Sequence, residues 1–128
     1  AKRENKLIFL SSGYFSCRWC HVMQRESFKN DEVAEQLNDF FIPVKIDREL
    51  EPALDKRLIN YAQATIQRGG WPLNVFISPD GLPVYAVLYQ PQAEFLGLLK
   101  RLTGVWKQQS ERIRELALAE KEPLGFAD

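Results

Sequence analysis

The first apolar run, "LIFLSS" at Leu7–Ser12, shows no polar alternation before its serines and predicts a short strand covered on both faces. "GYFS" breaks the run. From Cys17 to Phe28 the sequence reads as a helix whose apolar positions include Cys20, Met23 and Phe28. Asn30 and Asp31 are good N-caps, and "DEVAEQLNDFF" predicts a second helix with acids in its first turn, where they face the positive end of the helix dipole. "FIPVKID", Phe41–Asp47, predicts the second strand. Pro43 cannot donate to a ladder, so it marks a strand end or a bulge rather than a central position.

In "RELEPALDKRLINYAQATI", Pro52 stands where a helix begins, and Leu54, Leu58, Ile59 and Ala62 follow at helical spacing. A helix over about 52–66 is expected, ended by "RGG". "WPLNVFISPDGLPVYAVLY" is two apolar runs either side of "SPDG", which predicts a β-hairpin. Phe95, Leu99, Leu102, Trp106, Ile113 and Leu116 then form the stripe of an amphipathic helix over about 92–121. About 30 residues at about 1.5 Å each is roughly 45 Å, longer than a small domain is wide, so its far end is expected to contact another domain or a second copy. The order is β, α, α, β, α, β, β, α. Helices between the first three strands favour parallel crossovers, with the hairpin adding an antiparallel edge.

Composition narrows the function more than the fold. The 128 residues are 45% hydrophobic, enough for one core and too few for two ordinary domains. A single domain over 1–128 is expected. The start at Ala1 and the lack of a signal-peptide pattern in "AKRENK" suggest a piece of a longer or processed protein. Seventeen basic and seventeen acidic side chains give no net field, so no nucleic-acid partner is expected. The longest apolar runs fall far short of the ~20 residues of a membrane helix, so no membrane insertion of this segment is expected.

Both cysteines and the one histidine lie in "CRWCH", Cys17–His21. Two cysteines three positions apart can close a small disulfide ring in a helix, hold a metal, or take two thioether bonds. Cys17 follows a strand and precedes a helix. There, unpaired N–H groups and the helix dipole stabilise a thiolate and lower the thiol pKa from about 8.5 towards 3.5–7.5. Cys20, one turn deeper on the same face, is placed to attack a mixed disulfide at Cys17. Exposure makes Cys17 the expected nucleophile and depth makes Cys20 the resolving thiol. Arg18 and His21 are candidates for tuning the thiol pKa. In "GGWPLNVF", Trp71-Pro72 directly precedes a strand, where proline makes a cis bond accessible and Trp71 would wall a peptide groove. Trp19, between the cysteines, is a further candidate for binding substrate.

The segments "IFLSSGYFSCRWCHVMQRESF", "DEVAEQLNDFFIPVKIDRE" and "GGWPLNVFISPDG" together resemble thioredoxin-fold domains, most closely the N-terminal thioredoxin-like domain of the spermatogenesis-associated protein 20 family and its bacterial relatives. The resemblance spans about 7–81. It implies an α/β thioredoxin fold, a central mixed sheet of about four strands flanked by helices, with Cys17 and Cys20 as the dithiol and Pro72 as the cis-proline. Where many thioredoxins carry a buried aspartate, six residues before the first cysteine, this chain has Ser11, and its inter-cysteine dipeptide is Arg18-Trp19.

The expected function is thiol–disulfide exchange with a protein or peptide client and a separate redox partner, without metal or organic cofactor. A redox-idle thioredoxin-fold assembly module is the alternative. "CRWCH" also satisfies the haem-attachment pattern C-x-x-C-H, with His21 as axial ligand, but haem needs a cavity that these apolar stripes do not supply. A zinc site on one turn lacks a fourth Cys or His. A local dithiol suits cytoplasmic and exported proteins equally, so the compartment stays open.

Overall fold

The strand expected to be covered on both faces is one of the two inner strands of the sheet. β1, Leu7–Gly13, is buried over its first six residues. In the strand order β2-β1-β3-β4 it has a neighbour on each side. The computed structural model describes residues 5–13, 17–67 and 70–120, apart from the side chains of residues 26, 27, 114 and 116–120. β2 (Phe41–Asp47) runs parallel to β1, with Leu7 opposite Phe41 and Gly13 opposite Asp47. It is an edge strand, which is where a proline such as the exposed Pro43 is tolerated.

α1 (Arg18–Met23) is followed by a π-helical turn, Gln24–Phe28, closed by Lys29 N–H donating to the Gln24 carbonyl at 3.1 Å. The expected single α-helix is thus wound wider in its second half. α2 (Asp31–Phe40) starts where its cap predicts: Asn30 Oδ1 accepts the N–H groups of Glu32 and Val33 at 3.0 and 3.1 Å. α3 (Pro52–Ile66) has the expected bounds. β3 (Leu73–Ile77) and β4 (Pro83–Val87) form the hairpin, with Gly81 at φ 88 in its turn.

One expectation is corrected. β3 pairs with β1 antiparallel, Ile8 opposite Ile77, so only the first crossover is parallel. A helix between strands is necessary for a parallel return but does not enforce one. After α3 the chain turns through a left-handed Gln67 (φ 56) and through Gly70 (φ 146), and so enters the sheet reversed. α4 (Gln92–Glu120) is the long C-terminal helix expected, with a kink at Gln109, whose angles are non-helical (φ −132, ψ 27). The kink falls between Trp106 and Ile113, where the apolar stripe has no member. Leu116 has no described side chain, and residue 121 lies outside the described residues.

Alternation along β1 divides the core. Leu7 and Phe9 face Met23, Leu37, Phe76, Phe95 and Trp106, with Leu102 and Ile113 at the margin. Ile8 and Leu10 face Leu58, Ala62, Leu73 and Val75. Phe9 is the centre of the first side, its ring 5.2 Å from Phe76 and 5.5 Å from Phe95. Each fully buried large side chain contributes about 1.5–3 kcal/mol, which fixes the end of β1 from which α1 departs.

Candidate active site

Cys17 is the N-cap of α1, in extended conformation, and its Sγ accepts the Cys20 N–H at 3.2 Å. The two cysteines form a disulfide, their Cα atoms 5.3 Å apart. Gly13, at the end of β1, lies under the pair: a Cβ there would stand 2.7 Å from Cys20 Sγ. The order of exposure is the reverse of the one expected. Cys17 is 4% exposed. Cys20 is half-buried. As a cap, Cys17 turns its sulfur inward over the first helical turn, whereas Cys20 opens on the wall of a cleft.

That cleft, of about 510 Å³, is lined by Cys20, His21, Gln24 and Phe28 from the helical segment, Ser11–Gly13 from β1, Lys45–Asp47 from β2, Leu50 and Pro72. The π-helical turn supplies Gln24 and Phe28 to this wall. Lys45 Nζ donates to Gln24 Oε1 and lies 4.9 Å from the centre of the Phe28 ring. Burial first, and the nearby Lys29 second, hold Lys45 below the usual lysine pKa.

A second depression of about 600 Å³ lies beyond the disulfide, lined by Trp19, Ile66, Trp71 and 85–90. The Trp71-Pro72 bond is cis. Trp71 faces this groove and Pro72 faces the cleft, so the loop is shared between them. Trp19 is 51% exposed, its ring 4.9 Å from Tyr89. Trp71 is half-buried: its Nε1–H donates to Asp55 Oδ1 at 2.9 Å, and the Arg48 guanidinium lies 4.4 Å over its ring. Arg18 and His21 are both exposed; His21 lines the cleft, while Arg18 sits 6.0 Å from the Trp19 ring.

Residues 1–123 match the protein family described as "Thioredox_DsbH: Protein of unknown function, DUF255". The chain belongs to that family. It is 42% identical over 121 residues to spermatogenesis-associated protein 20 of Rattus norvegicus, and 41% identical over 121 residues to that of Homo sapiens. Each match takes in 90% of this chain and 15% of the relative, so the chain spans a small part of these proteins. Among solved structures it is similar to a DsbH oxidoreductase, with TM-score 0.60 and 21% identity over 81% of this chain and 76% of the other. It is similar to a disulphide isomerase of Xylella fastidiosa Temecula1, with TM-score 0.58 and 23% identity over 80% and 82%. A thioredoxin of Thermus thermophilus matches at TM-score 0.60 and 19% identity over 76% and 73%. The fold is therefore a thioredoxin fold.

In this member of the thioredoxin-like family the site contains residues that the motif reading did not single out. Asp55 is buried at 7% exposure and also accepts the Ser12 hydroxyl at 2.5 Å. It had a sequence signal: with Leu58 and Ala62 it occupies the i, i+3, i+7 face that α3 buries, an unusual place for a carboxylate. Asn74, opposite Ser11, donates through Nδ2 to the Leu88 carbonyl at 3.1 Å. Lys45 carried no such signal, because alternation on an edge strand makes an outward lysine ordinary.

Proposed function

We propose that this domain exchanges disulfides with protein or peptide clients through Cys17 and Cys20. The observation that carries the reading is the Cys20 N–H directed at Cys17 Sγ from 3.2 Å, at the start of α1. A donor in that position stabilises a thiolate, the species that attacks. Reduced Cys17 attacks a client disulfide; one client sulfur bonds to Cys17 and the other leaves as a thiolate. Cys20 then attacks Cys17 Sγ, the Cys17–Cys20 disulfide forms, and the second client sulfur leaves reduced. No metal or organic cofactor enters these steps, because the two electrons move between sulfur pairs. Trp19, Trp71 and Tyr89 supply aromatic walls on which an apolar client side chain can rest, and Pro72 belongs to the loop beside them.

The second reading is an assembly module whose dithiol is idle, and the burial of Cys17 at 4% exposure favours it.

Cys20→Ser separates the two readings. The variant is expected to hold clients from a cell extract as mixed disulfides through Cys17, released by dithiothreitol, while the wild-type protein reduces insulin. A wild-type protein inert towards insulin, with a variant that traps nothing, makes the module reading the correct one.

A further inference from the structure

A dithiol that has reduced a client ends as a disulfide and must be reopened. The two sulfurs then differ in two respects, and both favour attack at the same one. The first is position. Cys20 lines the cleft of about 510 Å³, a volume within the range of about 300–1,000 Å³ typical of small-molecule sites, and Cys17 is not on its wall, so a thiol held there meets Cys20. The second is the leaving group. Attack at Cys20 expels Cys17 as thiolate, and Cys17 Sγ is the sulfur that already receives an N–H donor at 3.2 Å. Thiol–disulfide exchange runs faster when the sulfur expelled is the better-stabilised thiolate.

The cleft wall also names the reagent. Lys45 projects from β2 into it, and its partners among the described residues, the Gln24 amide and the Phe28 ring, are neutral. The other ionisable groups on the wall are His21 and Asp47, an acid of opposite sign to Lys45 whose Oδ1 accepts the Glu49 N–H at 2.8 Å. An ammonium that shares a cleft with a disulfide sulfur suits an incoming carboxylate.

We propose that the cleft is the binding site of a small carboxylate-bearing thiol, which opens the disulfide by attacking Cys20 and expelling Cys17. This deepens the exchange reading and rests on it. In the first step the thiolate RS⁻ bonds to Cys20 Sγ, the Cys17–Cys20 bond breaks, and Cys17 takes the electron pair. In the second, another RS⁻ attacks the sulfur of the bound thiol, RSSR leaves, and Cys20 takes the electron pair. Two thiols are oxidised, one protein disulfide is reduced, and the protons of the two thiols end on Cys17 and Cys20 or in solvent. Clients exchange at Cys17, and the small thiol enters at Cys20 on the other side of the Trp71-Pro72 loop.

The test uses the oxidised protein, mixed rapidly with glutathione, quenched in acid, alkylated and mapped by mass spectrometry. Glutathione is expected on Cys20 and the alkyl label on Cys17. The reverse distribution overturns the proposal. Charge recognition is read from the ratio of opening rates with glutathione and with neutral 2-mercaptoethanol. Lys45→Gln is expected to lower that ratio about two- to fivefold, the size of an exposed ion pair, and Lys45→Glu to lower it further while favouring cationic cysteamine. An unchanged ratio in both variants overturns the carboxylate assignment even if the adduct is on Cys20. Insulin reduction by the same protein samples, with a dithiol reductant supplied in excess, scores client exchange separately. A protein that reduces insulin yet carries glutathione on Cys17 keeps the exchange reading and loses this one.

Discussion

Asp55 joins three parts of the site that are remote in sequence: its Oδ1 takes the Ser12 hydroxyl from β1 at 2.5 Å and the Trp71 indole N–H at 2.9 Å, and its own backbone belongs to α3. Both partners are donors, and one carboxylate oxygen accepts from both. An asparagine side chain in its place would keep one acceptor oxygen and put two N–H donors into a position that is 7% exposed, where each needs an acceptor. Asp55→Asn is therefore expected to destabilise the fold by about 1–3 kcal/mol, measured as a lowered urea midpoint. The indole should loosen as well, visible as a change in tryptophan fluorescence of the native protein. Asp55 was legible only as a carboxylate on an apolar stripe; that its oxygen meets residues 12 and 71 depends on strand order, which no local pattern carries.

At the level of elements, the sequence pattern specified α2, β2, α3 and the hairpin closely, because each is fixed by its own residues: the Asn30 cap, Pro52 at the helix start, "SPDG" at the turn. The features it missed arise from packing between elements. The direction of β3 depends on the turn after α3, and the π-helical turn depends on seating Phe28 against Phe9, ring centres 5.9 Å apart. α3 also carries a pH response. Burial pushes the Tyr61 hydroxyl up to about 12, so the fold favours the neutral phenol. Because the folded value lies above the unfolded one of about 10, this stabilisation is complete below pH ~10 and disappears as pH rises towards 12. Denaturation midpoints of the wild-type protein should therefore fall more steeply above pH 10 than those of Tyr61→Phe.

Over the whole molecule, the site is a boundary between two depressions, with the disulfide and the Trp71-Pro72 loop in between. The sequence named Cys17, Cys20, Trp71 and Pro72 because each sits in a short motif with its own chemistry. It did not show the cleft, whose walls come from β1, β2 and the helical segment together, nor that Cys17 is the buried sulfur. Division of labour across the boundary has a measurable consequence. Trp71→Ala should slow exchange with a peptide disulfide while leaving reaction with a small disulfide reagent nearly unchanged, as compared by stopped-flow rates. Equal slowing of both would mean that the indole tunes the sulfur and does not grip the client.

The strand order has a consequence for synthesis. β1 leaves the ribosome before the other three strands but is completed late on one side: its parallel partner β2 ends at Asp47, whereas Ile8 must wait for Ile77. At about 5–20 residues per second, that interval of some seventy residues lasts roughly 3 to 14 seconds. Throughout it, the edge of β1 that will face β3 is unpaired, and for most of it both cysteines have already emerged ahead of the loop that will flank them. The nascent chain thus carries its two thiols before it carries the surroundings that select what they react with. Whatever keeps them from the wrong partner during those seconds has to come from outside the fold.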